Sequence, residues 1–183
     1  MKKILVACGS LLLCCGSPQR DAVDVFLTAT KNRDLATLAR VSVVGLPGEV
    51  LAWQVLQTTT SQVETFPVED IQRRLNAARA ARDAQLKVTG AVEDVERIQF
   101  RVERLRGELE REREAARKSV ETWSPIDEFD GEVDVRDVTV KVRSRDGERI
   151  YSLTLKRYRL FHSENGARPP SRWIVTAVQA GDL

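Results

Sequence analysis

"VDVRDVTVKVRSRDGERIYSLTLKRYRL", residues 133–160, decides the fold class. Apolar and polar residues alternate on either side of Asp146–Gly147, which is the period of a strand rather than a helix. Asp-Gly between two such runs is a strong signal for a two-residue hairpin turn. With those two residues as the turn, Arg145 faces Glu148, Thr139 faces Thr154, Asp137 faces Lys156 and Asp134 faces Arg159. On the apolar side Val142 meets Tyr151, Val140 meets Leu153, Val138 meets Leu155, Val135 meets Tyr158 and Val133 meets Leu160. Opposite charges and like apolar groups fall together, which is how cross-strand pairs stabilise a sheet.

The apolar face shifts by one residue on both strands, around Arg136–Asp137 and Lys156–Arg157. A slip in one strand alone would put the halves out of step. The matched shift predicts a strong bend or paired bulges, with the two halves burying opposite faces. Beyond it, "SENGARPPS" (163–171) reads as a loop and "RWIVTAVQ" (172–179) as a third strand antiparallel to the second.

Upstream the period changes. Val23, Phe26, Leu27 and Thr30 share a helical face, and Leu35, Leu38 and Ala39 begin another after "KNRD". Asn32 and Asp34 are candidate caps for that second helix. "GLPGE" (45–49) is a turn, "EVLAWQVLQ" (49–57) reads as a third short helix, and "TTTSQVETFP" (58–67) as a polar loop. Pro67 is a helix-start signal, with Glu69 and Asp70 placed to favour the helix N-terminus.

From Glu69 to Val120 the chain is built of helix formers, interrupted at "KVTGAV" (87–92). A hairpin of two helices, one long bent helix and an intermolecular coiled coil all satisfy this pattern. Val88, Ala91, Val95, Ile98, Val102, Leu105, Leu109 and Ala116 follow the steps of a coiled-coil seam. The alanines of "NAARAARDAQ" (76–85) allow close approach of a neighbouring helix. "ELEREREAARK" (108–118) reads as a solvated face with opposite charges in helical neighbourhood.

The resulting expectation is α+β. N-terminal helices (21–66) and a long charged helical segment (67–121), hairpin or bent helix, precede a three-stranded antiparallel bent sheet (122–183). Residues 21–183 form one folded unit.

"MKKILVACGSLLLCCGS", residues 1–17, has a basic start, an apolar run from Ile4 to Leu13, and then small residues, as a secretory signal does. The run is shorter than the roughly 20 apolar residues of a membrane-spanning helix. Here the sequence resembles a bacterial lipoprotein precursor, in which a cysteine becomes diacylated and N-terminal after cleavage. Cys15 is the first candidate, with Leu12 upstream, a full apolar run and "CGSP" following. Cys14 and then Cys8 rank behind it.

The resemblance implies residues 1–14 as signal peptide and 15–20 as a short tether. It implies attachment to membrane lipid at Cys15, palmitate being one such acyl chain, and a place in the bacterial envelope facing the periplasm. Gly16, rather than Asp, after Cys15 implies the outer membrane in a Gram-negative cell. From Cys15 to Asp21 the chain spans at most about 20 Å, so the folded domain lies close to the lipid.

The composition narrows the function. Of 183 residues, 42% are apolar and 31% charged, as in a folded, helix-rich chain. Without Lys2 and Lys3 the 29 Lys and Arg fall to 27, equal to the 27 Asp and Glu. A neutral mature chain lacks the basic footprint of a nucleic-acid binder. The adjacent Cys14 and Cys15 have no neighbouring histidine or acidic ligand, which argues against a metal or redox site. The single histidine, His162, lies at the end of the second strand. No Ser-His-Asp set, Gly-rich phosphate loop or metal-spaced cluster is present. Tyr151, Tyr158, Trp53 and Trp173 read as core aromatics that could alternatively line a pocket.

"VDVFLTATKNRDLATL" (23–38), "VTVKVRSRDGERIYSLTL" (138–155) and the closing Trp173–Ile174 are similar to the nuclear transport factor two-like superfamily. More closely they resemble its small cystatin-like bacterial lipoproteins. The resemblance covers about half of the mature chain and implies a conical cavity between sheet and helices. Residues 69–120 are much longer than that family's connecting segment. The expected function is a lipid-anchored, non-enzymatic envelope protein without cofactor or metal. It would present residues 69–120 to an envelope partner or brace an assembly. The alternative is a small-ligand binder or enzyme using the superfamily cavity, favoured if a pocket above roughly 300 Å³ holds converging polar groups.

Overall fold

The computed structural model describes residues 18–88, 92–122 and 124–181. The elements run α1 (Pro18–Asn32), α2 (Leu35–Val41), β1 (Ala52–Thr58), β2 (Gln62–Thr65), α3 (Val68–Val88), α4 (Val92–Val120), β3 (Phe129–Ser144), β4 (Gly147–His162) and β5 (Ile174–Ala180). A 3-10 turn at Ile126–Glu128 precedes β3. Among the described residues this is α+β, with four helices and one open antiparallel sheet of five strands. The sheet order is β1-β3-β4-β5, and β2 lies beside β3 in line with β1.

The β3–β4 hairpin forms, but its register is two residues from that expected. Ser144 pairs with Gly147, so Arg145 and Asp146 make the turn. A mirror-image turn centred on Asp146–Gly147 would require both residues at positive φ. Only Gly147 adopts one, at +122°, so the glycine moves to the position after the turn. Ser144 Oγ completes the turn, accepting from Asp146 N (3.3 Å) and donating to Gly147 O (3.1 Å).

An even shift preserves faces. Val140 now faces Tyr151, Val138 faces Leu153 and Val133 faces Tyr158. Asp134 faces Arg157, bonding it at 2.7 and 3.0 Å, and reaches the expected partner Arg159 diagonally at 3.1 Å. Asp137 accepts from Thr154 Oγ1 (2.7 Å) rather than from Lys156.

Of the two devices expected at the face switch, a strong bend or paired bulges, the bulges are absent, for β3 and β4 pair without a break from Phe129–His162 to Ser144–Gly147. The switch itself is real, and two separate cores produce it. Near the open end, Val133, Tyr158 and Leu160 pack with Leu75 of α3 and with Leu105 and Leu109 of α4. Near the turn, Val138, Val140 and Leu153, on the opposite face of the pleat, pack with Val23, Phe26 and Leu27 of α1.

Two strands replace expected helix and loop, so the sheet has five strands rather than three. "AWQVLQT" (52–58) is β1, with Trp53 opposite Val142 and Val55 opposite Val140. Valine and tryptophan favour a pleated, half-buried surface, and the otherwise open flank of β3 offers a ladder that no local helix could match. "QVET" (62–65) is β2 and extends the same flank, Gln62 opposite Val135 through Thr65 opposite Glu132.

Residues 18–20, expected as tether, already belong to α1, whose first residue is Pro18, where a missing N–H is harmless. Asp34 caps α2 as expected, accepting from Thr37 N (3.0 Å) and Thr37 Oγ1 (2.6 Å). Asn32 instead ends α1, ahead of Arg33 at φ 55°. The expected third strand is β5, antiparallel to β4.

Candidate functional site

Within the segment 69–120 the helices α3 and α4 pack side by side. Gln72 meets Arg113 at 3.4 Å, Arg74 meets Glu108 at 3.7 Å, and Arg82 meets Gln99 at 3.2 Å. Partner numbers fall along α4 as they rise along α3, so the two helices are antiparallel. The seam read from sequence is spent within the chain. Val102, Leu105, Leu109 and Ala116 are buried, with Ile98 partly so, in the core that also holds Ile71, Leu75 and Ala78 of α3. Val88 and Ala91, the start of the seam, lie outside the residues whose side chains are described.

α4 meets the sheet through its last third. Glu112 accepts from Lys156 Nζ (2.8 and 3.0 Å) and from Tyr158 Oη (2.8 Å). Burial, and then Glu112, push the Tyr158 phenol far above its ordinary range, so it stays a donor. Ser119 Oγ accepts from Tyr158 N (3.2 Å) and donates to Arg172 O (2.7 Å). Lys118 Nζ donates to Ser42 O (2.8 Å). At 1.5 Å per residue, the stretch from Val92 to Glu108 therefore reaches roughly 25 Å away from these anchors. On it Phe100 is 70% exposed, and Leu86 of α3 is 57% exposed.

Where the hairpin joins the sheet, a half-open cleft of about 1410 Å³ lies between the start of α3, β2, the ends of β3 and β4, and the loop 163–171. Phe66, Phe129 and Phe161 supply its apolar wall, and Arg113, Arg159 and Arg168 its cations. Two of these cations are already neutralised. Arg113 is bidentate to Asp127 (2.6 and 2.9 Å), and this pairing raises its pKa further above the ordinary guanidinium value. Arg159 Nη2 holds Glu132 (2.9 Å) and Asp134 (3.1 Å). Arg168, on the exposed loop, makes no ion pair among the described residues.

His162 stands beside the cleft. Its Nε2 contacts Glu128 Oε2 (3.2 Å), its Nδ1 accepts from Glu164 N (3.3 Å), and its ring packs edge-on against Phe129. The neighbouring Ser163 Oγ donates to Asp130 Oδ2 (2.8 Å). Imidazole and hydroxyl are thus each tied to a different carboxylate, and are not linked as base and nucleophile. No group of three or more His, Cys, Asp or Glu suited to a metal ion occurs among the described residues.

Of the other sequence candidates, Tyr151, Tyr158 and Trp173 are core, and Trp173 lies beneath the guanidiniums of Arg157 (5.1 Å) and Arg136 (5.7 Å). Trp53 is half-buried, its Nε1 donating to Asp24 Oδ1 (2.8 Å). Cys15, the lipid-attachment candidate, lies outside the described residues, as do Cys14 and Cys8. No described helix is long and apolar enough to cross a membrane. The resemblance implied a cavity between sheet and helices, but the residues that line this cleft were not legible in the sequence because its walls come from segments far apart in the chain. No family model matches this chain, and no curated protein or solved structure matches it either.

Proposed function

We propose that the protein is a lipid-anchored, non-enzymatic envelope module that holds the α3–α4 hairpin away from its β-sheet body for an envelope partner. The observation that carries this reading is the division of labour along the hairpin. Its inner third is fixed to the sheet by Glu112 and Ser119, whereas its outer part exposes Phe100 and Leu86. An aromatic side chain can anchor an interface once a partner desolvates it. The tether supports the same reading. Between Cys15 and the first residue of α1 the chain spans at most about 10 Å, which keeps the body at the lipid. Two acyl chains hold such a body firmly.

A photoreactive residue at Phe100 of the full chain, expressed in its host, tests the reading. One dominant envelope adduct is expected, absent when the probe stands at Gln179 of β5. Intact mass of the mature N-terminus is expected to show a diacylated Cys15. A soluble, unacylated chain would remove the anchor, and no adduct at Phe100 would remove the presenting role.

The cleft favours a second reading, in which this module binds a ligand, as its resemblance to the nuclear transport factor two-like superfamily implied. Its volume exceeds the usual 300–1000 Å³ of small-molecule pockets and it is half-open. Its lining carries four carboxylates (Glu69, Asp127, Asp130 and Glu132) against three arginines beside its phenylalanines, so an extended aromatic molecule fits it better than an enclosed anionic substrate. Line-broadening of the Phe129 and Phe161 ring resonances on titration would reveal such binding.

A further inference from the structure

The flank of β3 that β1 and β2 occupy ends in an edge of unusual composition. Val50 to Val63, "VLAWQVLQTTTSQV", contains no charged residue, proline or glycine, in a chain that is 31% charged. β1 is the terminal strand of the sheet, and no described strand pairs with its outer side. Soluble proteins blunt such edges with lysine, proline, glycine bulges or a covering element, because unpaired N–H and C=O groups recruit another strand. The only such device here is a one-residue irregularity between Val55 and Gln57.

The other end of the sheet supplies an internal contrast. β5 is also uncharged, but segment 42–43 covers part of its edge, through the parallel bridge Ser42–Val175 and Val43 N donating to Val175 O (3.1 Å). Among the described residues no loop backbone bond covers the outer side of β1 in this way, and Leu56 is 46% exposed on it, with Leu51 (38%) just before the strand and Val63 (56%) on neighbouring β2.

We propose that the β1 edge pairs with the β1 edge of a second copy of this chain, joining two sheets across a twofold axis. The charge pattern selects this partner. In an antiparallel self-pair residue i faces residue j and j faces i, so a charge near the axis would lie close to its own copy. This edge carries none. Gln54 and Gln57 of β1 have no side-chain hydrogen bond among the described residues, and each amide offers both donor and acceptor to whatever residue it faces. A partner strand of opposite charge would find nothing on this edge to pair with. The pairing uses a surface separate from the hairpin, so the proposed presenting role and this contact stand or fall independently.

Size exclusion with light scattering on the full chain, extracted in mild detergent, is expected to give twice the chain mass. Gln54→Lys and Leu56→Lys, tested singly, are each expected to weaken self-association about tenfold or more, with unchanged circular dichroism. Gln179→Lys on β5 and Phe100→Ala on α4 are expected to leave the dimer intact. A monomer up to about 100 µM overturns the proposal, and so does a dimer indifferent to both edge lysines. Dissociation by Phe100→Ala alone overturns it too, by moving the contact to the hairpin.

Discussion

Glu112 of α4 accepts hydrogen bonds from both Lys156 Nζ and Tyr158 Oη, two residues on the same face of β4. Among the described residues the carboxylate is the one acid hydrogen-bonded to this pair, and the side chains of Glu112 and Lys156 are 12% and 19% exposed. Removing one partner of such a pair leaves the other charge stranded, which costs about 3 kcal/mol. Glu112→Gln keeps an acceptor oxygen for both donors but loses the charge that offsets the ammonium. Glu112→Leu strands both. The expected order of urea midpoints is therefore wild type, then Glu112→Gln, then Glu112→Leu, with Glu112→Leu/Lys156→Met recovering much of the loss.

Ser119 is a hydroxyl buried among apolar neighbours for a specific reason. β5 pairs with β4 only as far as Lys156, which leaves Tyr158 N beyond its reach. Ser119 Oγ accepts from that N–H and passes its own proton to Arg172 O. Ser119→Ala orphans a buried donor and a carbonyl, at an expected cost of about 2 kcal/mol. Denaturation read by tryptophan fluorescence measures it. Ser119→Thr is expected to retain the bonds but to strain the packing.

The sequence made the β3–β4 hairpin legible because its period-two pattern spans both strands and changes face on both together. Its exact register was not legible, since it depended on which residue took a positive φ, a matter of one backbone angle at Gly147. β1 was misread for a different reason. Val50, Trp53 and Leu56 fit a helical spacing as well as Trp53 and Val55 fit a strand, and the deciding term is the distant open flank of β3. β2 offered no pattern, for its four residues are all exposed. Within the candidate site, the seam residues of the hairpin could be read locally, whereas Phe66, Arg113, Phe129 and Arg168 meet at the cleft only through the tertiary fold.

Gly131 is a position where no side chain fits. Its φ is +147°, and a Cβ there would lie 2.3 Å from the carbonyl oxygen of Arg159 on the paired strand. Phe66 N donates to Gly131 O (3.0 Å) on the other side, so the residue is held from both flanks. Gly131→Ala must push β4 away or twist β3, at an expected cost of about 3 kcal/mol. Hydrogen exchange is expected to show the damage first at Arg159 and Leu160.

The Asp34 cap of α2 makes a pH prediction. Its hydrogen bonds from Thr37, the side-chain hydroxyl first and the backbone N–H next, hold the carboxyl below its ordinary value of 3.8. A carboxylate whose folded pKa is depressed contributes stability above its unfolded pKa, and loses it as pH falls through the folded one. The Thr37 amide resonance is therefore expected to be constant from neutral pH down to about pH 4 and to shift below it. Asp34→Asn keeps an acceptor without the proton equilibrium, so in that variant the acid shift is expected to vanish.

The hairpin can be shortened without unfolding the body, if its outer part is the projection its contacts describe. Arg82 and Gln99 stand opposite each other at 3.2 Å, so a short Gly-Asn turn can replace residues 83–98. This cut keeps Ala78 and Val102, the outermost buried residues of α3 and α4 in the core they share with the open end of the β3–β4 hairpin. Helical signal is expected to fall in proportion to the residues removed, while a single cooperative transition persists within a few degrees of the parent. A deeper cut that takes Leu75, Leu105 and Leu109 is expected to abolish that transition. Each leucine is at most 2% exposed, and losing one buried leucine already costs about 2–5 kcal/mol. The body would then have only its α1 core. A body that melts with the shallow cut would mean that the outer helices brace the sheet from a distance, and the hairpin would no longer count as a separable arm.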